Sequence, residues 1–261
     1  MAKLRLIATS LAAVAVLSTA CTSSKTSATR TSGAGSATSG TTSSQTAAPT
    51  PTPTPVDTGG DALYQKALST LQNASAFHAK LVSTGESAAT ASLGFDIHFG
   101  ANGSQTTLST GGVPINLVSD GTNVYMNAPA TFWTTIVSAL PDAATVSTTL
   151  AGKWVKVDTS QNEFAAYDAF KSKSVFVEKL KGTSTHYGLG GPATVNGVAT
   201  TKLTGSDGSA WYVAANGEVL QTTGPGASGA IGTVAIDQYN VAFTPTLPNA
   251  SQVVDYATVA K

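Results

Sequence analysis

Cys21 is the only cysteine in a chain of 261 residues. That excludes an internal disulfide and any metal site built on a cysteine pair. The three histidines, His78, His98 and His186, stand far apart in sequence, with no HExxH and no HxH spacing, so no zinc site is expected. His78 and His98 fall at polar positions of alternating strands and read as solvent-facing imidazoles. Charge is sparse as well. Only 11% of residues are Asp, Glu, Lys or Arg and the formal net charge is zero, which leaves no basic patch for nucleic acid. No Gly-x-Ser-x-Gly elbow is present; the nearest segment, Gly205-Ser206-Asp207-Gly208-Ser209, has the wrong spacing and reads as a turn. Gly188-Leu189-Gly190-Gly191 leads into Pro192 and a strand, not a helix, and so fails as a phosphate or dinucleotide loop. Glu163, Asp168 and Glu178 lie on a helical stretch whose solvated face accounts for them. The expectation is a protein that is not an enzyme and has no catalytic residues, metal or cofactor.

What is present begins at the N-terminus. Lys3 and Arg5 form a short positive region, an apolar run extends from Leu6 to Leu17, and small residues Ser18-Thr19-Ala20 lead to Cys21. This is the three-part layout of a secretory leader. The run is too short to span a bilayer, which needs about 20 apolar residues. No second long apolar segment follows, so no membrane span is predicted once the leader is removed. A lone cysteine immediately after such a run needs an explanation other than a disulfide. Residues 22–60 are then almost wholly Thr, Ser, Ala and Gly, closing on alternating Thr and Pro from Pro49 to Pro55. Such a segment buries too little to offset its own ordering entropy. The Ser/Gly part is flexible and the Thr-Pro part stiffer and extended, so the whole reads as a tether, with a composition also found in O-glycosylated stalks.

About 200 residues remain, enough for one domain with a sizeable core. Leu63, Ala67, Leu68, Leu71 and Ala74 recur at helical spacing, predicting a helix over Asp61 to Phe77 that Thr58 or Asp61 caps. The period then becomes two. Phe77, Ala79, Leu81 and Ser83 alternate with polar neighbours, as do Leu93, Phe95, Ile97 and Phe99. Turn signals Asp120-Gly121, Asn196-Gly197, Asp207-Gly208 and Asn216-Gly217 separate strand-like runs, and Thr233 to Phe243 supplies one or two more. Between these meanders, Phe132, Trp133, Ile136, Val137 and Leu140 follow helical spacing, as does Glu163 to Leu180, the latter in two pieces. The order helix, strands, helices, strands predicts an α+β fold: a large antiparallel sheet with helices packed on one face.

Two resemblances extend this reading. Leu17-Ser18-Thr19-Ala20-Cys21 resembles a bacterial lipobox, with Ser18 where Leu is usual. That implies a diacylglycerol on the Cys21 thiol and cleavage that leaves Cys21 at the new N-terminus. The competing reading is an ordinary secretory leader with an incidental cysteine. The second resemblance spans most of residues 61–261. Asp120-Gly121-Thr122-Asn123-Val124-Tyr125, Gly152-Lys153-Trp154-Val155-Lys156-Val157, Trp211-Tyr212-Val213 and Phe243-Thr244-Pro245-Thr246-Leu247-Pro248 resemble the LppX/LprG-type lipoproteins of actinobacteria. A more distant similarity is to the LolA and LolB lipoprotein carriers. The resemblance implies a half-open β-barrel whose large, curved antiparallel sheet has helices packed on its concave face, with an apolar cavity between them. With the leader and tether read above, the chain divides into residues 1–20 as leader, 21–60 as a tether acylated at Cys21 if the lipobox resemblance holds, and 61–261 as a single domain. The expected role is a membrane-anchored lipoprotein on the extracytoplasmic face that binds or carries an acyl lipid, a lipoglycan or a lipidated protein. Phe132, Trp133, Ile136, Val137 and Leu140 would then wall the cavity, although each taken singly reads first as a core residue by type. The alternative is an envelope lipoprotein that engages another protein and holds no ligand.

The leader carries a direct test. Expressed in a bacterium that processes lipoproteins, the chain is expected in the detergent phase after Triton X-114 partition, with a diacylglycerol increment in its intact mass. Cys21→Ser moves it to the aqueous phase and removes the increment; an unchanged partition would leave Cys21 incidental.

Overall fold

The computed structural model describes residues 59–83, 94–225 and 231–260. Cys21, the leader, the tether, Thr58 and Leu93 lie outside them. In chain order the elements are α1 (Gly60–Asn73), β1 (Phe77–Ser83), β2 (Gly94–Gly100), β3 (Gly103–Thr110), β4 (Val113–Ser119) and β5 (Val124–Asn127). Next come α2 (Ala130–Ile136), α3 (Ala143–Leu150), β6 (Trp154–Val157), a 3-10 segment (Ala165–Phe170) and α4 (Lys173–Leu180). The second half holds β7 (Tyr187–Val195), β8 (Val198–Gly205), β9 (Ala210–Ala214), β10 (Val219–Pro225) and β11 (Ile231–Asp237), and the chain closes with β12 (Val253–Asp255) and α5 (Tyr256–Val259).

All twelve strands form one sheet in the order β12-β6-β5-β4-β3-β2-β1-β11-β10-β9-β8-β7. The expected α+β class and predominantly antiparallel sheet are present. Each half is a meander because its turns are short and chemically suited to reversal. Asn196 (φ 49°) and Gly197 (φ 81°) both take the left-handed conformation that a tight two-residue hairpin requires. At the β4–β5 turn the Asp120 carboxylate accepts hydrogen bonds from the backbone N–H groups of Thr122 (2.8 Å) and Asn123 (2.7 Å), an Asx-type turn. The two meanders join where β1 pairs with β11, and only β12, alongside β6, runs parallel to its neighbour.

Period-two alternation sorts the side chains. Phe77 and Ala79 of β1, Phe95, Ile97 and Phe99 of β2, Ile115 and Leu117 of β4, and Trp211 and Val213 of β9 are buried on the inner face. Helices cover that face. Helix α1 buries Tyr64, Ala67, Leu68 and Leu71. Tyr64 stacks on Tyr187 at 3.9 Å and meets Trp211 edge-on at 5.0 Å. Helix α4 starts at Ser172, whose side chain accepts a hydrogen bond from Val175 N–H. It sets Phe176 among Phe77, Phe95 and Phe99 at centroid distances of 6.1, 5.8 and 4.9 Å. Each such fully buried side chain contributes about 1.5–3 kcal/mol of transfer free energy. No helix among the described residues is long and apolar enough to cross a membrane.

Two expectations are corrected. Helix α1 stops at Asn73 and Phe77 opens β1, because Ser75 N–H donates to the Asn240 side-chain oxygen (2.8 Å), a long-range contact that ends the helical ladder. Its N-cap is Gly59, without a side-chain cap bond, while the Asp61 carboxylate accepts from Tyr187 N–H (2.7 Å) and meets His186 at 3.0 Å. Two elements were not anticipated. β3 hides its inner face behind hydroxyls, Ser104 and Thr106, and α3 is rich in Thr and Val yet helical because Val146 and Leu150 are buried. Thr233 to Phe243 supplies one strand, the body of β11, as expected. β11 ends at Asp237, Gln238 (φ 53°) and Asn240 (φ 60°) turn the chain, and residues 241–252 run over the outer face to add β12 at the far edge. On the way Phe243 packs on His98 and Thr246 N–H reaches the Gln105 side chain.

Gly103 marks the tightest backbone approach. Its φ is 138°, and a Cβ there would strike the Ser119 carbonyl of β4. Gly103→Ala is expected to lose about 2–3 kcal/mol in urea unfolding, from strain and clash together. Gly152→Ala, at φ 69° with open space around it, should lose only about 1 kcal/mol.

Candidate functional site

The interior between sheet and helices is the first candidate. Helix α2 carries Phe132, Trp133 and Ile136; Val137 and Leu140 follow it. Phe132, Trp133 and Val137 are buried, and Ile136 and Leu140 are partly buried against the same core. Phe132 lies 5.2 Å from Trp133 and 6.3 Å from Tyr167, and Trp133 faces Tyr256, which meets Phe164 edge-on at 4.8 Å. The five residues expected to wall a cavity thus share one apolar cluster with the 3-10 segment and α5. Helix α3 is tied to this layer by Ser147, whose hydroxyl lies 2.8 Å from Thr134 Oγ1 and donates to the Ala130 carbonyl.

Three polar atoms in this interior have no hydrogen-bond partner among the described residues: Trp133 Nε1, Tyr167 Oη and Thr106 Oγ1. Trp133 and Thr106 are almost wholly inaccessible and Tyr167 is 3% exposed. Burial alone pushes the Tyr167 phenol well above its ordinary range, so it remains a neutral donor. Unpaired buried groups of this kind are uncommon and cost about 1–3 kcal/mol each.

The second candidate is a cavity of about 350 Å³ beside β5, β6 and β12, bordered by Thr122, Lys156, Asp158, Lys171 and Asp255. Its charged lining suits a polar guest, and none of the five α2-region residues borders it.

The third candidate sits on the opposite face of the sheet and corrects the sequence reading of the histidines. His78 on β1 is directly opposite His98 on β2 and Asp237 on β11. His78 Nδ1 lies 2.7 Å from Asp237 Oδ1 and its Nε2 lies 2.9 Å from Asp96 Oδ1. The His78 and His98 rings stack at 4.4 Å, and Phe243 stacks on the other side of His98 at 5.1 Å. The His78 side chain is only 13% exposed, so it is not a solvent-facing imidazole; neighbouring strands and the crossing segment enclose it. Burial, aided by the His78 charge, holds His98 below the usual imidazole range against the pull of Asp96 and Asp237. Burial raises Asp96, but hydrogen bonds and charge from His78 and Lys80 outweigh it and leave the carboxyl below its usual range. Alternation placed His78, Asp96 and His98 on one face. The missing signal was register, which isolated strands do not reveal.

No family model and no curated protein matches the chain. Among solved structures it is similar to the lipoprotein LppX of Mycobacterium tuberculosis, at 13% identity over 71% of this chain and 97% of that one, with a TM-score of 0.42. It is similar to LprF of Mycobacterium bovis at 9% identity over 72% and 96% of the two chains, with a TM-score of 0.46. A LolA-superfamily protein of Nitrosomonas europaea aligns at 10% identity over 71% and 94%, with a TM-score of 0.26. These belong to the families that the sequence resembles; similarity at this level transfers no residue role.

The orphan phenol gives a prediction. Tyr167→Phe removes a buried hydroxyl without a partner and is expected to stabilise lipid-extracted protein by about 1 kcal/mol in thermal melts. A loss of similar size would mean that the hydroxyl is paired.

Proposed function

We propose that this chain is an exported lipoprotein, fixed to the outer face of a membrane through a lipid on Cys21. Its domain, residues 61–261, then binds or carries a lipid or lipidated partner between sheet and helices. The observation that carries this reading is the pairing of an apolar, aromatic interior with orphaned polar groups on facing layers. Trp133 Nε1 and Tyr167 Oη belong to the helical cover, and Thr106 Oγ1 belongs to the inner face of β3. An indole N–H can only donate, so the guest must bring an acceptor. An ester or carboxyl oxygen at the head of an acyl chain does so, and the chain itself suits walls such as Phe132, Val137 and Leu140. A protein evolved only for stability would replace such groups with apolar ones; a binding site keeps them at a cost in stability.

The second reading, an envelope lipoprotein that engages a protein and holds no ligand, also has an observation behind it. β7 is an edge strand, and Leu189 on it and Val198 on the adjoining β8 are 50% and 46% exposed. An apolar sheet edge is a place where a partner strand adds.

Mass spectrometry of the full chain purified from host membranes separates the two. Native and denaturing spectra distinguish a held ligand from the covalent lipid. A mass present only in the native spectrum, recovered in organic extract as lipid, is the expected result. Identical protein masses in both, unchanged after incubation with host lipids, would overturn the carrier reading and direct attention to the β7 edge.

A further inference from the structure

The outer face of the sheet holds a cluster that the carrier reading does not use. His78, Asp96 and His98 each offer a ligand atom, and these atoms all lie within 4.8 Å of one another. The geometry points to a binding site for a borderline transition-metal dication, held by His78 Nε2, Asp96 Oδ1 and His98 Nε2, with Asp237 orienting His78 from behind.

The spacing fits such an ion. Bonds of about 2.0–2.2 Å to nitrogen and oxygen set ligand atoms about 3.3 Å apart around a tetrahedral centre. The contacts to Asp96 Oδ1 bracket that value, at 2.9 Å from His78 Nε2 and 4.0 Å from His98 Nε2. Binding therefore draws His98 Nε2 toward Asp96 and turns its ring out of the stack with His78, so that both in-plane lone pairs reach the ion. The donor set of two imidazoles and one carboxylate selects zinc-like ions over calcium or magnesium, which prefer all-oxygen shells.

The surroundings complete the arrangement. A metal-ligating histidine usually donates its other ring N–H to a carboxylate, which fixes the tautomer and the ring plane. Asp237 Oδ1 stands 2.7 Å from His78 Nδ1 for that role. With an ion bound, an Nδ1–H donated to Asp237 leaves the Nε2 lone pair as the ligand. Lys80 Nζ, 3.4 Å from Asp96 Oδ2, occupies the other carboxylate oxygen and leaves Oδ1 as a single-atom ligand. Three adjacent strands hold the groups, and strands position ligands more firmly than loops. The turn after Asp237 is itself clamped: Asn240 accepts from Ser75 N–H, and its own N–H donates to the Ala76 carbonyl (2.8 Å). That clamp leads the chain to Phe243, which backs His98. Asp96 and His98 remain partly open, at 42% and 36% exposure, so a fourth position faces solvent and the ion exchanges.

The test uses the full chain without a polyhistidine tag and with Cys21→Ser, which removes the thiol as a competing ligand. Titration calorimetry with zinc chloride should show one site, with a dissociation constant on the order of micromolar. His98→Ala and Asp96→Asn should each weaken it at least tenfold, and Asp237→Asn about tenfold. His186→Ala should leave it unchanged, and circular dichroism checks that each variant is folded. Nitrogen-15 spectra of the imidazoles provide a readout that needs no ligand variant: zinc should shift His78 and His98 and spare His186. Absence of binding at about 1 mM zinc, full affinity in His98→Ala, or shifts confined to His186 would each overturn the proposal.

Discussion

A sheet that ends in free edges cannot bury its own apolar face, and most of this structure follows from that constraint. Twelve strands run from β12 to β7 without the edges pairing among the described residues. Closure would have removed the edges and wrapped the inner face around itself. An open sheet needs a second layer, and short helices supply it. Helix α1 covers the β7–β10 side through Tyr64, Tyr187 and Trp211. Phe176 of α4 covers the centre over Phe77, Phe95 and Phe99. Helix α2, the 3-10 segment and α5 assemble Phe132, Trp133, Tyr167 and Tyr256 into another aromatic cluster. A cover made of separate pieces can part locally, whereas a single long helix would have to move as a whole. That property suits an interior expected to admit a guest.

The outer face carries a different organisation. The segment from Gln238 to β12 crosses it from near the centre to the far edge, touching His98 and Gln105. It adds a parallel strand beside β6 and returns α5 to the inner layer, where Tyr256 meets Trp133 and Phe164. The two faces are therefore mechanically joined by the last twenty or so residues of the chain. Deletion of this tail would remove an inner aromatic and an edge strand together.

Some of this was legible in the residues. Phe95, Ile97 and Phe99 declared a strand by strict alternation, and the Asn196-Gly197 turn declared a hairpin because few other dipeptides accept two positive φ angles. The two-piece character of Glu163 to Leu180 was visible in its broken spacing. β3 was not, since Ser104 and Thr106 occupy inward positions that hydrophobic patterning assigns to apolar side chains. Helix α3 has no local signal because its β-branched Thr and Val residues disfavour helices, and only burial of Val146 and Leu150 reverses that preference. The end of α1 depended on Asn240, a residue remote in sequence. Among candidate site residues, the α2-region group was found by period, whereas the His78, Asp96, His98 and Asp237 cluster was not.

The chain by itself determined the alternation of each strand, the positions of its turns, the class of fold and the expectation of a lipid on Cys21. These depend on neighbours within a few residues, where backbone sterics and side-chain period act directly. Which strands meet, and in what register, was decided only by the folded sheet. His78 faces Asp237 because β1 and β11 pair after more than a hundred intervening residues, and a shift of one residue would have turned every side chain of β11 to the other face. Register is a property of two strands and the layer packed on them, so no single strand encodes it.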